Sequence, residues 1–256
     1  MIDGTPVIDF HGHVGRWDRY GMVDDPTLLL HAMDRAGVDV ACVFNIFHPD
    51  GTTANDLTAH YVARYPDRFV GFAYVSPLMP QGMMTELARA MDELHLRAIK
   101  LYPPYTPWSL HEPPWRPIYE FANQRSRTII FHTGPEPTAL PQWIGEIAGD
   151  YPNANFVAGH AGNTPLERAQ AIAVARAHPN VYLETCSTFR TPGVIEQLVA
   201  EAGADRVIFG SDQPLMDPRP QLGKIITAAI SDDAKRQIIG LNAQRLLGMT
   251  NQNAII

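Results

Sequence analysis

The sequence predicts an α/β protein, a single-domain (β/α)8 barrel over residues 1–256, on three observations. Eight short apolar runs alternate with eight amphipathic segments within 256 residues, the size of one such barrel. Side chains able to hold a metal stand at the ends of the first, fifth, sixth and eighth runs, which only a closed cylinder brings together. No glycine-rich phosphate fingerprint follows the first run, which counts against a doubly wound open sheet.

Taken in order, strands are expected near 7–13, 38–45, 69–75, 98–102, 128–132, 155–160, 181–186 and 206–211. Helices are expected near 26–36, 54–65, 83–95, 115–125, 139–150, 165–177, 193–202 and 232–247. Boundary residues support several of them. Asp25-Pro26 opens the first helix and Gly37 closes it, and Thr164-Pro165 opens the sixth. Tyr65-Pro66, Tyr151-Pro152 and His178-Pro179 close others. Strands alternating with helices imply parallel pairing through right-handed crossovers. Six of the 22 prolines fall in 103–117, directly after the fourth strand. Pro77, Pro80, Pro135, Pro137, Pro214, Pro218 and Pro220 follow other strands, so stiff walls are expected on the side where barrels build their sites.

Composition excludes several classes of partner. A net charge of −7 with pI ≈ 5.8 gives no electrostatic footprint for nucleic acid or an anionic membrane. The two cysteines, Cys42 and Cys186, sit in apolar runs and read as buried core residues, with no cysteine-based zinc spacing. No signal peptide precedes the first strand, and no apolar run approaches the roughly 18 residues of a membrane span. The expectation is a cytoplasmic protein whose partner is a small-molecule substrate, with homo-oligomerisation left open.

The first strand, Val7-Ile8-Asp9-Phe10-His11-Gly12-His13, ends in two histidines one residue apart. Strict alternation projects His11 and His13 to one face, with Ile8, Phe10 and Gly12 on the other. His132 ends the fifth strand and Asp212 the eighth. A lone histidine is more often a core or surface residue, but four coincident strand-end placements of imidazole and carboxylate argue for a metal site. His160, ending the sixth strand, is either a fifth ligand or the group that moves protons; the second is favoured because imidazole titrates near neutral pH. Asp212 is the other acid/base candidate, and the two assignments can exchange. Lys100 shares a strand face with Ala98 and Tyr102. In a barrel interior it would pair with Asp9 or another carboxylate, hold a substrate carboxylate, or be carbamylated to bridge two metals.

These residues resemble the amidohydrolase superfamily, and more closely its amidohydrolase-related (family 2) branch of TIM-barrel proteins. Ile8-Asp9-Phe10-His11-Gly12-His13, Ile99-Lys100-Leu101-Tyr102-Pro103, Phe131-His132-Thr133-Gly134, Gly159-His160-Ala161-Gly162 and Phe209-Gly210-Ser211-Asp212-Gln213-Pro214 carry the likeness along nearly the whole chain. The resemblance implies one divalent metal, zinc foremost, held by His11, His13, His132 and Asp212, with His160 as acid/base. A second metal on a carbamylated Lys100 is the lesser alternative.

The branch contains hydrolases of esters, lactones and amides, nonoxidative decarboxylases resembling aminocarboxymuconate semialdehyde decarboxylase, and hydratases. Compactness tilts the expectation toward a hydrolase that attacks a small ester, lactone or amide with a metal-activated water. Decarboxylation of an aromatic or unsaturated acid is the first alternative, and a non-catalytic ligand-binding barrel the second. For substrate contacts the sequence nominates Lys100, Arg16, Trp17, Tyr102, Trp108 and Arg190. Tyr20, Trp115 and Phe189 are added as pocket wall, His48 as within reach of the pocket, and Glu184 as an outer partner of a ligand histidine.

Overall fold

Apolar runs bounded by Pro, Gly and Asp fold into eight strands that hydrogen-bond in sequence order, β1 to β8, all in parallel. They are β1 (Ile8–His13), β2 (Val40–Phe44), β3 (Phe69–Tyr74), β4 (Ala98–Leu101), β5 (Thr128–His132), β6 (Asn155–Gly159), β7 (Val181–Glu184) and β8 (Val207–Ile208). The computed structural model describes Ile2 and residues 4–161, 163–187 and 191–249, without the side chain of Tyr20. β8 is short, so the chain beyond it closes the cylinder. Phe10 N–H donates to Phe209 O (2.9 Å), Asp212 N–H to His11 O (2.8 Å) and His13 N–H to Gln213 O (2.6 Å).

Two apolar layers follow from the alternation of the strands. Val40, Cys42, Phe44, Phe72, Tyr74, Ala98, Ile130, Val157, Tyr182 and Ile208 fill the cylinder. The alternate positions, such as Ala41, Ile99, Phe131, Phe156 and Leu183, pack outward with the helices. Strict alternation fails in β1, where the register shifts between Asp9 and Gly12. Ile8 and Phe10 therefore belong to the interior cluster, with Phe10 edge-on to Phe72 at 5.1 Å, although His11 and His13 also face inward.

The surrounding helices are α1 (Pro26–Ala36), α2 (Gly51–Arg64), α3 (Met83–Asp92), α4 (Arg116–Gln124), α5 (Gln142–Ala148), α6 (Pro165–Ala177), α7 (Val194–Ala202), α8 (Pro218–Ile226), α9 (Asp232–Arg236) and α10 (Asn242–Leu247). Asp25 caps α1 by accepting from Thr27 N–H, and Gly37 ends it in the left-handed conformation. Helix α8 departs from the sequence expectation, which read Pro214, Pro218 and Pro220 as loop. Asp217 caps it and Pro218 opens it, and the first turn has no intrahelical use for the missing N–H groups. The single helix expected near 232–247 is α9 and α10 joined by a π-helical stretch, Gln237–Leu241. No helix among the described residues is long and apolar enough to cross a membrane.

Candidate metal centre

Three strand ends turn sharply at this mouth of the barrel. His160, Ser187 and Asp212 follow β6, β7 and β8 with φ of 63°, 63° and 68°, a region non-glycine residues enter at a cost of about 1–3 kcal/mol each. Asp212 lies against β1, its Oδ1 2.9 Å from His13 Nε2 and 3.5 Å from His11 Nε2. His11, His13 and Asp212 thus bring one donor atom each within 4.8 Å of one another, all buried.

Electrostatics suits them to a cation. Burial pushes the His11 and His160 imidazoles well below their ordinary range and lowers His13 and His132, leaving neutral lone-pair donors at neutral pH. Burial opposes ionisation of Asp212, but the hydrogen bond with His13 and the surrounding imidazoles outweigh it and hold the carboxyl well below the usual carboxylate range. Two neutral nitrogens and an ionised oxygen fit a divalent metal.

Outer residues fix this arrangement. Glu184 in β7 accepts from His11 Nδ1 (2.9 Å), Cys186 N–H (2.5 Å) and His160 N–H (3.2 Å), which sets the His11 ring so that Nε2 faces Asp212. Two glycines make the room. A Cβ at Gly210 would meet Glu184 Oε1 at 2.0 Å, and one at Gly159 would meet Phe131 O at 2.4 Å. Asp9, wholly buried, accepts from the Ser211 hydroxyl, Ser211 N–H (2.9 Å), Gln213 Nε2 (2.7 Å) and His11 N–H (3.1 Å), tying β1 to the chain after β8. Burial raises its pKa to about 7 against those donors.

The remaining nominated residues divide. His132 stands beside the group, its ring 4.6 Å from both Tyr102 and His160 and its Nε2 3.8 Å from Glu136 Oε2, so it is not among the three mutually close donors. His160 turns Nδ1 toward Cys186 Sγ (3.0 Å) and Ser187 Oγ (3.2 Å). Lys100 is fully buried in the interior, with Nζ 3.2 Å from His11 Nε2 and 4.5 Å over the Phe44 ring, and burial lowers its pKa to about 8. Its expected ion pair with Asp9 does not form, because Asp9 is occupied by Ser211 and Gln213.

Trp17 stacks on Phe47 at 4.5 Å, and Phe47 lies 5.4 Å from His13, so one aromatic pair flanks the β1 side and Tyr102 with Tyr105, at 4.4 Å, the β4 side. Arg16 is a correction: it pairs with its neighbour Asp18 at 2.6 Å in solvent, 74% exposed, away from the centre. Trp115 is another, being fully buried beneath the loop with its Nε1 donating to Trp108 O, and Trp108 packs partly buried against that same outer core. His48 is exposed. Arg190 and Phe189 lie outside the described residues, as does the Tyr20 side chain.

Cys186, Ser187, Gln213 and Glu136 escaped the sequence reading. Only the motif around Asp212 signalled any of them, and Cys186 read as a core strand residue because the strand was expected to run to 186, whereas β7 ends at Glu184 and Cys186 lies two residues beyond it.

A model of the family described as amidohydrolase matches residues 8–249. Among curated proteins, the γ-resorcylate decarboxylase of Polaromonas sp. is 27% identical over 243 residues, covering 75% of this chain and 74% of that protein. Its counterpart from Rhizobium radiobacter is 24% identical over 245 residues, with the same coverage. Among solved structures, 2,6-dihydroxybenzoate decarboxylase in complex with 2,6-dihydroxybenzoate superposes with a TM-score of 0.79 at 19% identity, covering 97% of this chain and 99% of that one. The 5-carboxyvanillate decarboxylase of Novosphingobium aromaticivorans, complexed with manganese, gives 0.79 at 18% identity over 96% of each chain. These relatives correct the expectation of ester, lactone or amide hydrolysis, since they are named decarboxylases. Compactness misled because inserted segments decorate a barrel without deciding what its centre does.

Proposed function

The chain belongs to the amidohydrolase family, an enzyme superfamily, and on that premise we propose that it is a metal-dependent nonoxidative decarboxylase of an aromatic or unsaturated carboxylic acid. The observation that carries this reading is its likeness over 243 residues to γ-resorcylate decarboxylase, joined to a donor set of the right chemistry. In the reaction the bond between the ring carbon and the carboxylate breaks, carbon dioxide leaves, and the electron pair stays on the carbon, which takes a proton.

His11, His13 and Asp212 are the residues we assign to the metal, with His132 as an additional ligand. When bound there, the cation supplies positive charge that orients the substrate carboxylate. Manganese joins zinc as its identity, because 5-carboxyvanillate decarboxylase carries manganese and an N2O donor set accepts either.

His160 is assigned the proton. Its Nδ1 is held by Cys186 and Ser187, which leaves Nε2 for the substrate. The anionic substrate raises the proton affinity of this otherwise neutral imidazole, so the proton is taken up together with the acid that consumes it. Asp212 stays ionised against His13 and is the second acid/base group. Lys100 adds a buried positive charge favouring an anion. Trp17 and Phe47 on one side and Tyr102 on the other suit a planar acid.

The test is carbon dioxide release by metal-loaded protein from 2,6-dihydroxybenzoate, 5-carboxyvanillate, other hydroxybenzoates and muconic acids. Release from at least one is expected. Protein holding stoichiometric metal that releases none from the whole panel overturns the reading.

A further inference from the structure

Beneath the centre just described lies a second group of donors that the proposed reaction does not use as ligands. Cys186 Sγ is 3.0 Å from His160 Nδ1, 3.3 Å from His11 Nδ1 and 3.0 Å from Glu184 Oε2. All four residues are buried, His160 at 5% being the most exposed. We propose that Cys186, His160, Glu184 and the Nδ1 atom of His11 form a second cation site, selective for a thiophilic divalent ion such as zinc or cadmium.

One sulfur, two imidazole nitrogens and one carboxylate oxygen make a complete tetrahedral set. Bonds of about 2.0–2.3 Å place such donors about 3.3–3.7 Å apart, so the contacts of Cys186 Sγ with His160, His11 and Glu184, and of His11 with Glu184, lengthen by only a few tenths of an ångström to take an ion, and His11, His160 and Cys186 already lie within 4.8 Å of one another. The sulfur sets the preference, since thiolate favours zinc-like ions over magnesium or manganese.

The two sites do not compete for an atom. His11 faces Asp212 through Nε2, at 3.5 Å, and Cys186 through Nδ1, so one imidazole links them. Binding forms the metal–sulfur bond and releases two protons to solvent, the thiol proton and the His11 Nδ1 proton otherwise given to Glu184, so that with both sites filled the linking ring is an imidazolate. It also takes His160 Nδ1, so a thiophilic ion in excess of the first equivalent removes the proton carrier from use.

The experiment is a cadmium titration of the metal-free full chain, followed by calorimetry and by the ultraviolet thiolate-to-cadmium charge-transfer band. Two equivalents per chain are expected, the band growing with one of them. Cys186→Ser should bind one equivalent without the band. Cys42→Ser should match the parent, because the only other thiol is buried in β2 among apolar residues. A single equivalent without the band in the parent protein, or a band that survives in Cys186→Ser, overturns the proposal. If Cys186→Ser does not fold, the parent and Cys42→Ser titrations still decide it, since the chain has no third cysteine.

Discussion

Replacing Gly210 by alanine tests whether the centre depends on empty space as much as on its donors. A Cβ there would lie 2.0 Å from Glu184 Oε1, 2.5 Å from its Cδ and 2.9 Å from His11 Cβ, where ordinary contact begins at 3.4 Å. Glu184 must retreat by more than an ångström, yet it is held by His11 Nδ1, Cys186 N–H, Cys186 Sγ and His160 N–H. Each hydrogen bond to a buried charged acceptor contributes about 1.5–3 kcal/mol, so losing two costs about 3–6 kcal/mol. The reduced freedom of the unfolded chain returns about 0.4–1 kcal/mol. A net loss of about 2 kcal/mol or more is expected, a fall in melting temperature of at least about 4–8 °C for a chain of this size.

With Glu184 displaced, His11 loses its orientation, and metal affinity should drop about 10–100-fold. Gly223 in α8 is the internal control, because an added Cβ meets nothing within 4 Å. Gly223→Ala should leave metal binding unchanged and stabilise by up to about 1 kcal/mol. Denaturant unfolding of the metal-free variants and calorimetric metal titration read both effects. Equal stability of the two variants, or an unaltered metal affinity in Gly210→Ala, refutes the steric argument.

Lys100→Met removes a buried ammonium while keeping its length, so the melting temperature should hold or rise as carbon dioxide release falls; a destabilised variant with full turnover counters the assignment. Asp9 binds its proton more tightly folded, at about 7, than at its ordinary value of 3.8, so its contribution is present at low pH and lost as pH rises through about 7. Between pH 4 and pH 7 this loss opposes the gain from the four buried neutral histidines, so metal-free Asp9→Asn should gain stability with rising pH more steeply than the parent in denaturant titrations at several pH values. Asp212→Asn should abolish turnover and weaken metal binding with a native circular dichroism spectrum, and undiminished activity would remove Asp212 from the site.

Much of this protein is local in origin and was therefore open to the sequence. Apolar runs of strand length, proline and aspartate at helix starts and glycine at helix ends are decided within a few residues, so the barrel and the order of its elements follow from the chain itself. His11, His13 and Asp212 were legible for the same reason: the first two sit at the end of the apolar run of β1 and the third ends the run that begins with β8. Prolines concealed α8, because a first helical turn tolerates them and a loop does too.

What depended on closure was not legible. The shift between Asp9 and Gly12, beside which Phe10 and His11 both face inward, is a matter of how β1 pairs with β2 and exists only once the two strands meet. Arg16 carries charge toward solvent while Lys100 carries it into the interior, a distinction that neither residue type nor spacing encodes. Glu184 in β7, Gly159 in β6 and Gly210 two residues past β8 come from separate stretches of chain, and the cavity they shape around His11 exists only once those stretches are neighbours. Composition and periodicity determined which groups reach the mouth of the barrel; long-range packing alone decided which of their atoms face one another, since that is set by the register of strands that never meet in the sequence.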